Sequence, residues 1–411
     1  MRVNVCVYSI VFFLVCSFIP SSAYGNYQLG LDMLSDSSIR GLRNLRVALV
    51  TNQTGKDMQG RRNIDVLRAR GLKLACILTP EHGLDGSVPA GAAVPDTKDR
   101  KTGIPVLSLY GHGTGKHIGK KILDKIDLFL IDLQDCGMRH FTYISTLYMI
   151  LESAADYNKR VIVLDRPNPL GDVMDGPLVE HDLLSFVSIA PIPVRHGMTM
   201  GELALYFNTY VLKKRARLQV ISMQGYDRVC GICGNLLAPL SPNIASVQSC
   251  YGYSFLGLLG EFKPFEIGIK LNRPFQVIML PDTVSWKAPV WNLLANTLKT
   301  YGIHATPYAE YVKQQGIRYR GLQLYIPCIS NVPSFQVLLV LIDFARAHGL
   351  PINVSALGVK AIGTKKISHY LEGSVERQDL AQSINKGLTN FYKKAQACFL
   401  YKPAPRVVFS Q

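Results

Sequence analysis

Short apolar runs punctuate the first half of this chain. Arg46-Val47-Ala48-Leu49-Val50, Leu72 to Leu78, Ile126 to Ile131 and Arg160 to Leu164 are almost continuous in Val, Ile, Leu and Phe. Runs of that length and β-branched content predict strands covered on both faces, the kind found in parallel sheets. Between them apolar residues recur at helical spacing: Ile64, Val66 and Leu67 ahead of the second run, then Leu147, Ile150, Leu151 and Ala154 in a helix predicted over 142–158. Strands alternating with helices predict an α/β fold built on a doubly wound parallel sheet.

Upstream, Leu29, Leu31, Leu34, Ile39 and Leu42 form an amphipathic lead into the first strand. Residues 83–115 are rich in Gly, Pro and Asp, with a short strand predicted over Pro105 to Tyr110. So long an irregular segment at the ligand edge of a sheet suits a lid or specificity element. A further helix is expected to begin near Met200, with Thr199 as N-cap and Glu202 at its third position. Two prolines in Pro239-Leu240-Ser241-Pro242-Asn243 mark a linker. Beyond it, strands are predicted at Phe275 to Met279 and Gly321 to Ile326, and helices at Val332 to His348 and Asp379 to Cys398. The expected organisation is a first domain over 26–238 and a smaller α+β domain over 239–411 that closes a cleft against it.

Composition adds a location. Arg2, an apolar stretch from Val5 to Ile19, and small residues at Ala23 and Gly25 read as a signal peptide over 1–25, cleaved before Asn26. The expectation is an exported, periplasmic protein with no stable transmembrane anchor, since the stretch is shorter than the roughly 20 residues that span a bilayer. The formal charge of +16 favours anionic partners such as acidic membrane surfaces or cell-wall polymers, but the basic residues are scattered and no nucleic-acid motif surrounds them, so nucleic acid is not an expected partner. Seven cysteines remain after cleavage, an odd number. Cys230-Gly231-Ile232-Cys233 lacks a second metal-binding pair, and reads as a short-loop disulfide or two free thiols; no metal is expected.

Candidate chemistry sits where the strands stop. The first ends in Thr51-Asn52-Gln53-Thr54-Gly55, the second in Thr79-Pro80-Glu81-His82-Gly83. The third ends in Asp132-Leu133-Gln134-Asp135 with Arg139 and Tyr143 following, and the fourth in Asp165-Arg166-Pro167-Asn168. Carboxyl ends of parallel strands are where α/β sheets bind ligands, and Glu81 beside His82 on a sharp turn offers acid and base chemistry near neutral pH. Arg195 and His196 precede the helix at Met200, a place suited to holding an anion.

In order, these stretches resemble the NamZ-type exo-lytic β-N-acetylmuramidases, together with Pro193-Val194-Arg195-His196-Gly197-Met198-Thr199 and Ser241-Pro242-Asn243. The resemblance runs on weakly through Arg273-Pro274-Phe275, Gly321-Leu322-Gln323-Leu324 and Gly363-Thr364. It implies a Rossmann-like first domain, a site in the cleft, no cofactor, and release of N-acetylmuramic acid from the non-reducing end of peptidoglycan fragments. It makes Glu81 the catalytic acid/base, with His82 setting its protonation. Asn52, Gln53, Arg139, Tyr143, Arg166, Asn168, Arg195 and His196 would bind the sugar, an Arg fork suiting the lactyl carboxylate.

Glycoside hydrolysis usually takes a second carboxylate, and Asp135, Asp132 and Asp165 all qualify from sequence, Asp165 equally as scaffolding. One departure stands out: where the family carries Arg and Gly in a Gly-rich segment, this chain has Ile269 and Lys270 within 256–272. A catalytically silent peptidoglycan-binding protein and a structural envelope protein are the alternative expectations.

Overall fold

The computed structural model describes residues 27–111, 114–115, 117–229 and 236–411. The signal peptide read over 1–25 and the Cys230/Cys233 pair lie outside the described residues.

The first half is an α/β unit. Strands β1 (Arg46–Thr51), β2 (Lys73–Thr79), β3 (Pro105–Ser108), β4 (Leu128–Asp132) and β5 (Arg160–Leu164) lie parallel. After β6 (Val173–Leu178) and β7 (Pro193–Arg195), which form a separate antiparallel pair, β8 (Arg217–Ile221) joins the large sheet beside β5. The sheet order is β8-β5-β4-β1-β2-β3, with a short antiparallel stretch, Thr97–Lys98, on the β3 edge. β1 is central, and successive strands are added outward on both its sides.

Both faces are covered. Leu49, Ile77 and Leu130 face one layer with Ile39 and Ile64, the latter on helix α1 (Asn63–Ala69). Ala48, Phe129 and Ile131 face the other, where helices α2 (Tyr143–Asp156) and α3 (Met200–Tyr206) pack. This is why β4 is buried at all five positions. β8 was not legible as a strand because it is the sheet's edge: none of its side chains is fully buried, and the exposed Arg217 and Gln219 interrupt its apolar residues.

The second half contributes α4 (Val247–Leu259), the antiparallel strands β9 (Val277–Pro281), β10 (His304–Val312) and β11 (Ile317–Tyr325), then α5 (Ser334–Ala347) and α6 (Arg377–Ala395). The two halves share one hydrophobic core, in which Phe129 and Leu147 lie in the same cluster as Phe255, Leu338 and Phe391. The chain end returns to the first half, where β12 (Arg406–Val407) pairs with β6 and the Tyr401 hydroxyl donates to Asp165 Oδ2 at 2.6 Å. No helix among the described residues is long and apolar enough to cross a membrane.

Candidate active site

The polar residues at the strand ends fall into two groups. In the first, hydrogen bonds are spent inside the protein. Asp165 follows β5 and is fully buried: its Oδ1 accepts from the Arg166 and Gly201 amides, its Oδ2 from the Thr199 and Tyr401 hydroxyls. Burial still pushes its carboxyl up to about 6. Asp132 takes a two-point contact from Arg166, Nε to Oδ1 at 2.6 Å and Nη2 to Oδ2 at 3.0 Å, and a further bond from Asn63. Asn168 closes its own turn, accepting from the Leu170 amide and donating to the Met198 carbonyl.

Arg139 and Arg195 belong to this group, contrary to the sugar-binding role expected of them. Arg139 is fully buried and donates to the carbonyls of Pro177, Ile192, Ala361 and Ile362 and to the Ser188 hydroxyl. With no carboxylate beside it, burial draws its guanidinium down to about 9. Arg195 donates to the carbonyls of Val332, Leu170 and Ile329 and to the Ser334 hydroxyl. Both arginines tie the first half of the chain to the second, and Arg166 ties β4 to the Lys56 carbonyl. Apart from Arg195 Nε, which is buried without a partner, their donors face these internal acceptors, and none of the three lines the cavity beside Asn52.

The second group surrounds Glu81. The turn after β2 places His82 at φ +72, a left-handed conformation uncommon for a side chain with a Cβ. His82 Nδ1 donates to the Val88 carbonyl at 2.7 Å; no hydrogen bond joins it to Glu81. It therefore shapes the loop rather than holding the carboxyl group. Glu81 Oε1 accepts from the Gly91 amide at 2.9 Å and Oε2 from the Thr142 hydroxyl at 2.6 Å. The Tyr110 phenol lies beside it, raised well above its ordinary range by burial and then by the Glu81 charge.

Next to this turn, the end of β1 carries Asn52 and Gln53. Asn52 Oδ1 accepts from the amide and hydroxyl of Thr54, leaving Nδ2 buried with no partner. Gln53 Nε2 donates to the carbonyls of Pro239 and Leu240, leaving Oε1 bare. Tyr143 donates to the same Leu240 carbonyl, and its phenol feels Glu81 on one side and both amides on the other. Asn52 and Gln53 line a cavity of about 520 Å³ with Lys56, Arg62, Gly86 and Ser241. Gly86 is required there: a Cβ would lie 2.3 Å from the Gln53 side chain. Arg62 is held by Asp65 and Asp99, whereas the Lys56 ammonium makes no ion pair among the described residues.

Asp135 completes the group. Its Oδ2 accepts from the Gly137 amide at 2.6 Å and from His196 Nε2 at 3.1 Å. His196 Nδ1 takes the Met198 amide, which assigns the proton to Nε2. Asp135 Oδ1 is buried without a partner. Gly137 sits at φ +97 with Asn168 Oδ1 only 2.4 Å from where a Cβ would be, so the loop presenting Asp135 closes only around glycine. Tyr253 on α4 lies within range of both Glu81 and Asp135, and burial, then nearby Cys136 and Glu81, drive its phenol far up.

Glu81, Asp135, Asn52, Gln53 and Tyr143 thus gather at one edge, with His196 bracing Asp135 and His82 shaping the loop beside Glu81. Thr142, Gly91, Tyr110 and Tyr253 were not singled out from sequence. Thr142 had a signal in its place beside Tyr143; Tyr253 had none, being brought in by the packing of α4. Ile269 is 47% exposed, Lys270 pairs with Glu266 at 3.6 Å, and neither lines the cavity beside Asn52. In the same loop the Phe275 amide donates to the Ile267 carbonyl, and the Phe275 ring meets Tyr253 at 4.8 Å. Among the described residues no three His, Cys, Asp or Glu side chains are grouped to hold a metal, and Cys76, Cys136, Cys250, Cys328 and Cys398 are free.

A parallel sheet whose carboxyl edge carries Glu81 and Asp135, with a cavity beside it lined by Asn52 and Gln53, has the layout of an α/β enzyme. Comparison with known proteins supplies the class of chemistry. Residues 47–248 match the family described as exo-β-N-acetylmuramidase NamZ, N-terminal. The chain is 31% identical over 386 residues to the peptidoglycan β-N-acetylmuramidase NamZ of Bacillus subtilis, covering 91% of each. Its fold is similar to a DUF1343 family protein of Bacteroides fragilis, with a TM-score of 0.79 at 30% identity over 92% of this chain and 99% of that one. A second such protein of that organism shares the fold, with a TM-score of 0.73 at 24% identity over 93% of this chain and all of the other. The chain belongs to the NamZ exo-β-N-acetylmuramidase family, and it is a glycosidase.

Proposed function

We propose that this glycosidase acts on peptidoglycan fragments and releases the terminal, non-reducing N-acetylmuramic acid, working as an exported, periplasmic enzyme of cell-wall turnover. The sheet order, built outward from β1, supports the Rossmann-like reading of its first half. Glu81 gives its proton to the glycosidic oxygen, the bond from that oxygen to C1 breaks, and the shortened saccharide leaves with a free hydroxyl. Positive charge developing at C1 is met by a second carboxylate, water supplies the new hydroxyl at C1, and its remaining proton passes to the carboxylate pair, which returns to its starting state.

The observation that carries this reading is the contrast among the three aspartates. Asp132 and Asp165 have both oxygens taken by protein donors, whereas Asp135 keeps Oδ1 bare in the same group as Glu81. Asp135 is therefore assigned as the second carboxylate. With the three arginine forks committed elsewhere, Lys56 is the cation placed on the cavity wall to meet the lactyl carboxylate.

The test is to incubate the chain from residue 26 to 411 with a MurNAc-GlcNAc disaccharide and follow products by mass spectrometry. Free N-acetylmuramic acid is expected from the native enzyme, with turnover at least about 10²-fold lower in Glu81→Gln. Unchanged turnover in that variant removes Glu81 from the role, and an intact disaccharide with the native enzyme overturns the substrate assignment.

A further inference from the structure

Thr142 occupies the N-cap position of α2, where a threonine hydroxyl ordinarily accepts a hydrogen bond from an amide in the first turn. Here it does not. Its backbone is helical, at φ −67 and ψ −5, and its side chain makes no capping bond. The hydroxyl instead donates to Glu81 Oε2, 61 residues away in sequence, at 2.6 Å.

Glu81 is thereby held by Gly91 and Thr142, donors of different kinds, with the Tyr110 phenol hydrogen-bonded to the same carboxylate. Thr142 heads a 14-residue helix whose first residues, Tyr143 to Leu147, are buried in the core, so its hydroxyl is anchored. Gly91, the donor to Oε1, lies exposed in the stretch Pro89-Ala90-Gly91-Ala92-Ala93. That stretch has no side chain beyond methyls and a proline ring with which to grip its surroundings. Glu81 itself is only 9% exposed beneath it, so a saccharide reaching the carboxyl group displaces the Gly91 amide and leaves Oε1 to the ligand.

We propose that Thr142 is a positioning residue for the glycosidase reaction: it holds Oε2 so that Oε1 faces the scissile oxygen once Gly91 has moved aside. This rests on the reading of Glu81 as the acid. A proton donor that rotates about its last side-chain bonds spends little time aligned, and misplacement of reacting groups by about 1 Å costs on the order of a hundredfold in rate. A donated hydroxyl also favours the ionised form of a carboxyl group over the neutral one, so a pH–rate profile reads its loss.

The experiment measures kcat and KM on the MurNAc-GlcNAc disaccharide across pH for Thr142→Val and Thr142→Ser. Thr142→Val is expected to lower kcat about 10- to 100-fold with KM within about twofold, and to move the alkaline limb of the pH–rate profile upward. Thr142→Ser, which keeps the hydroxyl, is expected within a few-fold of native with the native profile. In a Glu81→Gln background Thr142→Val has no further effect on the residual rate, because the two act as a unit. A native kcat and profile in Thr142→Val overturns the inference. So does a lowered melting temperature with an unmoved pH limb, or a serine variant as impaired as the valine one. Should Thr142→Val fail to fold, Thr142→Ser and Thr142→Ala are compared by the same profile, and equal profiles overturn it. If Glu81→Gln retains turnover, the acid assignment fails; if Glu81→Gln collapses and Thr142→Val does not, only the role of Thr142 fails.

Discussion

Asp165 and Asp135 end neighbouring strands of one sheet, both deeply buried, yet their surroundings differ. Four protein donors converge on Asp165, and it holds β5, the α3 N-terminus and the chain end together. Asp135 has two donors on one oxygen and none on the other. Leaving a buried polar atom unpaired costs on the order of 1–3 kcal/mol, and such a cost is retained where a ligand supplies the missing partner. The same division separates Arg139, whose donors are spent on four carbonyls and a hydroxyl, from Asn52 and Gln53, each with one bare atom. Carboxylates that look alike in sequence have both oxygens consumed in one region and one oxygen left open in the other.

That division is broken most sharply by Asp135→Asn, which keeps the size and the Gly137 contact but removes the charge. It is expected to lower kcat by about 10²- to 10⁴-fold with the melting temperature nearly unchanged, measured by disaccharide turnover and thermal unfolding. A large fall in stability without loss of rate in the folded fraction would move Asp135 among the struts.

Arg139→Met tests the opposite side. It fills similar volume but leaves the carbonyls of Pro177, Ile192, Ala361 and Ile362 without a donor, so a loss of about 3 kcal/mol or more is expected in denaturant unfolding. KM for the disaccharide, measured on protein that remains folded, should stay near native. A raised KM with native stability would return Arg139 to the sugar.

The smallest expected effect is on the pH dependence of stability. Burial pushes Asp175 up to about 6, and the Phe335 amide, Arg195 nearby and the Gly176 amide offset it only in part. A carboxyl group whose folded value is raised holds its proton better in the folded state. Its contribution is therefore present at about pH 4 and lost as pH rises through about 6, by up to about 1.4 kcal/mol per pH unit. Asp175→Asn should flatten that slope without abolishing it, since Asp165 keeps its own share. Unfolding free energies from about pH 4 to 7 give the slope directly.

Much of the large sheet was legible in the sequence: β5 at Arg160 to Leu164, the capping box of Thr199 and Glu202, and α2 within two residues of its ends. These are local matters. A strand buried on both faces writes a continuous apolar run, and a helix cap needs only two residues three apart. The half-buried edge strand β8 left no such run, and so went unread.

The family, and the candidacy of Glu81 and Asp135 at the sheet edge, also followed from the order of motifs along the chain. Which of those residues carry the chemistry did not. Arg139 reaches carbonyls more than two hundred residues downstream, and Asp165 meets Tyr401 from the far end of the chain. The turn at Glu81 gave no hint that Thr142 and Gly91 would bracket it. Residue type and spacing along a chain fix what a side chain is able to donate or accept. Whether that capacity is consumed or left open depends on partners brought together only by tertiary packing, and that separates a strut from a catalyst.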